Sequence, residues 1–111
     1  MDAKEFVANW NALRAELLES YLAPNDLAPN GASDVAARVR AMGLSAAQRE
    51  KMRDVLDGVL RDTMYTLLLG LDGAASIGGD QQAFTITDEE GNVIEGIEDE
   101  AWACLQGGDE Q

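Results

Sequence analysis

The strongest constraint on the fold lies in the middle of the chain, where Met52, Val55, Leu56, Val59, Leu60, Met64, Leu67, Leu68 and Leu71 follow one another at helical spacing without a break. Apolar residues three and four positions apart share one face of a helix, so the series predicts an amphipathic helix with a stripe to bury. Ser45 and Gln48 form a capping-box pair at its start, and Gly73 stands where a left-handed residue closes a helix. From residue 46 to 72 such a helix runs roughly 40 Å at ~1.5 Å per residue, longer than the diameter of a domain made from a chain of this length. Two outcomes follow: a bend at Gly58, a residue that weakens a helix interior, or excess length that packs against a second copy.

Two further helices precede it. Phe6, Trp10, Leu13, Leu17 and Tyr21, widened by Val7 and Leu18, predict an amphipathic helix over 3–22, with Asp2 and Glu5 as its cap. Pro24 and Pro29, among Asn25, Asp26, Asn30 and Gly31, make an irregular connection that Leu27 anchors inward. Ser33 and Asp34 cap a short helix over 34–42 that carries Val35, Val39 and Met42 and stops at Gly43.

Past Gly73 the period changes. Phe84 and Ile86 alternate with Ala83, Thr85 and Thr87, which predicts a half-buried strand; Asp88-Glu89-Glu90-Gly91 supplies a turn, and 92–95 returns. Glu98 to Gln106, with Ala101, Trp102 and Leu105 on one side and acids in its first turn, predicts a short final helix. The expected fold class is α+β: a small bundle of three helices, the third long, followed by a β-hairpin and a short C-terminal helix. Residues 1–106 form one domain and 107–111 a frayed tail.

Composition then narrows the chemistry. With no histidine there is no imidazole base, Ser-His-Asp or Cys-His relay, or His-ligated metal. Cys104 stands alone, so a disulfide framework and a Cys-rich metal site are excluded, and the chain reads as cytoplasmic. The opening Met-Asp-Ala-Lys-Glu has the wrong charge pattern for an export signal, and Met64–Leu71, the most apolar stretch, is too short to span a bilayer. A soluble protein with no membrane role is expected. From Met1 to Gly70 there are 10 acidic and 8 basic residues, whereas Leu71–Gln111 has 11 acidic and none basic. That field repels phosphate backbones and attracts basic proteins, so direct nucleic-acid binding is not expected.

Seven of those acids, Asp88, Glu89, Glu90, Glu95, Glu98, Asp99 and Glu100, fall close together, with Trp102 beside them. Turns and helix starts favour Asp and Glu on local grounds, and acidic surfaces keep small proteins in solution. The functional alternative is a docking face for a basic protein; Trp102 reads as a core residue beside Ala101 and Leu105 or, in that alternative, as an aromatic anchor of the face. An EF-hand loop counted from Asp88 places Val93 at position six and Asp99 at twelve, where glycine and glutamate belong, so that pattern fails.

The remaining candidates read as structural. The glycine-bracketed segment 73–79 follows a helix and precedes the expected strand, the reverse of a phosphate-binding loop, and Ser76 has no base to activate it. Acidic neighbours oppose a thiolate at Cys104, which suits a buried filler. Trp10 belongs to the core stripe. The basic segment Arg38–Arg61 mixes six cations with Glu50, Asp54 and Asp57 and reads as a solvated helix face, or as a complement to the acidic C-terminal part.

The leading functional expectation is a non-enzymatic acidic protein-binding module, of immunity or antitoxin type, that engages a basic partner and needs no cofactor. The alternatives are a scaffolding protein that self-associates through the 46–72 helix or the hairpin edge, and an enzyme whose carboxylates converge on a metal.

Overall fold

The computed structural model describes residues 1–23 and 34–106. Helix α1 spans Ala3–Leu22, α2 Asp34–Ala41, α3 Ala46–Leu71 and α4 Ile97–Ala101, which continues as a π-helical turn over Trp102–Gln106. The 24–33 connection with Leu27, the Ser33 cap and the 107–111 tail lie outside the described residues.

The caps form as the spacing predicts. Asp2 Oδ1 accepts the Glu5 N–H at 2.9 Å. At α3 the capping box is reciprocal: Gln48 N–H donates to Ser45 Oγ (3.2 Å) and Ser45 N–H to Gln48 Oε1 (2.9 Å). Gly73, at φ 82°, closes α3: Ala74 N–H reaches Leu69 O at 2.9 Å and Gly73 N–H reaches Gly70 O at 3.2 Å. These two bonds make a Schellman motif and satisfy carbonyls that a helix end otherwise leaves open. The helix runs unbroken through Gly58.

The expected α+β class is overturned. The described chain is 67% helical with four helices, and among the described residues there is no strand, sheet or hairpin. Residues 83–95 form a loop pinned by a single antiparallel bridge, Thr87 to Val93, with Ile94 N–H on Ile86 O (2.8 Å) and Asp88 N–H on Asn92 O (3.0 Å). The physical reason lies in Asp88. Its Oδ1 accepts the N–H groups of Glu90 (3.0 Å) and Asn92 (2.9 Å), so a side chain takes amides at the point where the returning strand would start. Only Ile94 is fully buried and Ile86 half-buried; Phe84 and Val93 are exposed, leaving too little inward surface to hold two strands.

The chain divides into two compact units, a terminal one of Met1–Ala12 with Arg61–Gln111 and a central one of Leu13–Leu60. In the terminal unit Ala3, Val7, Leu68, Ile94, Ile97, Ala101 and Leu105 form the core, with Phe6, Trp10, Tyr65, Ile86 and Cys104 against it. Trp10 Nε1 donates to the Met64 carbonyl at 3.1 Å, which gives its half-buried ring a partner. Asp72 Oδ2 accepts the Glu98 N–H at 3.1 Å, supplying the first turn of α4 with a cap that its own N-cap, Gly96, lacks.

In the central unit Leu18, Leu22 and Val39 form the core, packed by Leu44, Met52, Leu56 and Leu60. Buried Arg14 pairs with Asp57, and Arg49 donates to the Leu22 carbonyl. Arg53 grips Glu19 through both guanidinium ends, at 2.7 and 3.2 Å, and holds its carboxyl below the ordinary range. The stripes are narrower than the spacing implies. In α1 the buried line is Ala3, Val7, Arg14, Leu18 and Leu22, with Leu13 exposed; in α3, Val55, Val59 and Leu67 face out. No described helix is long and apolar enough to cross a membrane.

Candidate functional site

The acidic residues are sorted by the loop and helix that carry them, all within the terminal unit. Asp88 is inward and committed. Besides the two amides, its Oδ2 accepts the Met1 ammonium at 3.0 Å and the Asn92 side-chain amide at 3.4 Å. The ammonium first, then the Asn92 N–H, hold the Asp88 carboxyl down to about 2, and the same contact holds the Met1 ammonium above its ordinary value. Asp88 therefore organises the loop.

Glu89 and Glu90 sit at the loop tip, exposed, where Gly91 at φ 87° completes the turn by donating its N–H to the Asp88 carbonyl at 3.0 Å. Glu95 is exposed just before α4, Glu98 and Asp99 are exposed on its first turn, and Glu100 is half-buried. Trp102 follows on the same helical run and is 55% exposed, with its ring centroid 6.2 Å from that of Tyr65. Residues 98 and 102 are four apart, so the exposed indole and the Glu98 carboxylate share a helix face. Ala101 and Leu105, one face round, enter the core instead.

Beside the loop tip lies an open groove of about 440 Å³, lined by Met1, Phe6, Ile94, Asp88, Glu89 and Glu90. Met1 and Phe6 come from the start of the chain. A contact across 87 positions has no signature in residue spacing, so neither is legible as a site residue from the sequence.

Among the described residues no group of three or more His, Cys, Asp or Glu side chains is placed to hold a metal ion. Cys104 is half-buried against the core. The basic segment turns mostly to its own unit: Arg49 and Arg53 meet α1, while Glu50, Lys51 and Asp54 stay exposed. Arg61, in the terminal unit, donates to the Leu105 carbonyl at 3.4 Å. Among the described residues there is no hairpin, and so no exposed strand edge of the kind expected to pair with a second copy. No family model, curated protein or solved structure matches the chain.

Proposed function

We propose that this chain is a non-enzymatic, cytoplasmic protein-binding module that docks a basic partner through Glu89, Glu90, Glu95, Glu98, Asp99 and Trp102. The observation that carries the reading is the more than half-exposed Trp102 on the same helical run as exposed Glu98 and Asp99. A large aromatic left in water among carboxylates has the composition of an interface anchor with a charged rim, and negative charge steers a basic protein toward it. An inhibitor of immunity or antitoxin type is the concrete form: carboxylates stand where a basic enzyme would bind phosphates. The test is capture on the immobilised chain at about 50 mM salt and release at about 500 mM, with Glu98→Lys/Asp99→Lys and Trp102→Ala chains in parallel. Basic proteins released by salt from the native chain and lost from both variants support the reading. The same proteins retained by both variants overturn it.

A second reading, self-association through the 46–60 part of α3, which lies in the central unit, is favoured by Val55 and Val59, 60% and 55% exposed one turn apart. Gly58 beside them has open space where a side chain would stand, so a second backbone can approach closely there. Sedimentation equilibrium should then show a dimer that Val59→Asp dissociates; a monomer throughout the concentration range removes this reading.

A further inference from the structure

The outer face of α3 carries a short pattern that complements itself when the helix is turned end for end. Lys51, Val55, Gly58 and Asp62 are all exposed. At ~100° per residue they fall within an arc of about 60°, so they make one stripe along a helix that runs unbroken from Ala46 to Leu71. Lys51, Val55 and Gly58 belong to the central unit, and Asp62 follows one turn further along the same helix.

The two ends of the stripe hold unspent charge. Arg49 and Arg53 are engaged by the Leu22 carbonyl and by Glu19, and Arg61 by the Leu105 carbonyl. Lys51 and Asp62, by contrast, make no ion pair among the described residues. Set roughly 17 Å apart along the axis at ~1.5 Å per residue, they do not reach each other within one chain. Between them stand Val55, 60% exposed, and Gly58, where a Cβ would meet nothing within 4 Å.

Two copies can lay this stripe together in two directions. Parallel, Lys51 meets Lys51 and Asp62 meets Asp62, and both contacts repel. Antiparallel, with a two-fold axis at the level between Leu56 and Asp57, Lys51 of each copy stands against Asp62 of the other and Val55 against Gly58. Each contact then occurs twice, as in any isologous pair. The valine enters the space that the absent side chain leaves, and the helix axes approach at the close end of the ~8–10 Å range.

We infer that the occupant of this face is a second copy of the chain, packed antiparallel in the register that joins Lys51 to Asp62. The inference rests on the self-association reading above and supplies the direction and register of that contact. Charge complementarity selects the occupant: a partner of one sign satisfies one end of the stripe and is repelled by the other, whereas the reversed stripe matches both.

Sedimentation equilibrium of the full chain over a range of concentrations tests it by charge exchange. Lys51→Glu and Asp62→Lys should each weaken the dimer about tenfold, since each turns two attractive exposed contacts into repulsive ones. The double variant Lys51→Glu/Asp62→Lys should return to within about twofold of the native affinity, the signature of two residues that meet. Gly58→Leu fills the space that the second copy's Val55 enters and should abolish the dimer, while its helix content by circular dichroism stays at least native, because leucine favours a helix interior. Native-like dichroism of the charge variants confirms that each folds. A double variant no tighter than the single ones, or a dimer untouched by Gly58→Leu, would overturn the antiparallel register. If Val59→Asp still dissociates that dimer, the self-association reading stands without it. A monomer at every concentration removes both.

Discussion

Asp88 shows how one carboxylate sets the character of a whole segment. It spends both oxygens on its own loop and on the Met1 ammonium, so it shapes the surface that Glu89 and Glu90 present. Because it titrates at about 2, below the ordinary 3.8, whatever it contributes to loop order is complete above 3.8 and disappears as pH falls through about 2. Amide shifts of Glu90 and Asn92 should follow that titration with a midpoint near 2. In Asp88→Asn the same amides should exchange with solvent faster at neutral pH. A midpoint near 4, or unchanged exchange in the variant, would show that the loop holds itself by other means. Glu89 and Glu90 within the turn and Glu95 beyond it are exposed, whereas Asp88 is committed to the loop, a distinction that their spacing alone does not reveal.

At the level of elements, the helices were legible because local chemistry and packing agree. Ser45 with Gln48, Asp2 with Glu5, and Gly73 all act where their types and spacing place them, so α1, α2 and α3 match their expected ranges within a residue. Gly73 carries a direct prediction. Alanine there must hold φ near 82° and place its Cβ 3.3 Å from the Ala83 Cα, so Gly73→Ala should cost about 1–2 kcal/mol in urea unfolding. No loss would mean that the end of α3 relaxes freely. The expected hairpin failed for the complementary reason: alternation was present, but Asp88 offers the backbone a local alternative and Phe84 finds no surface to cover. The inward faces were also only partly legible. Position 14 of α1 is buried although it is arginine, because Asp57 lies opposite, and no period of apolar residues encodes such a pair. Val55 and Val59 belong to the apolar series by spacing, yet the 46–60 part of α3 has more apolar circumference than the central unit covers.

For the whole molecule, charge placement is the feature that bears on function. The described residues of the terminal unit carry 12 acidic side chains and two basic ones, Lys4 and Arg61, while those of the central unit carry six of each. The described residues of the central unit are thus electrically balanced, and nearly all the negative charge of the chain lies in the unit that also bears Trp102 and the groove. That concentration was evident from the sequence; which acids are exposed and which are committed was not. A surface of this kind accelerates the approach of a basic protein and loses the advantage as salt screens it. The decisive measurement is the rate of association between the chain and its salt-released partner across a range of ionic strength, compared with a Glu89→Lys/Glu90→Lys/Glu98→Lys chain. Native association should be at least about tenfold faster at low salt and fall steeply as salt rises, and the variant's rate should be slow and nearly flat. Equal rates with equal salt dependence would contradict docking at the acidic surface and leave that charge a role in solubility.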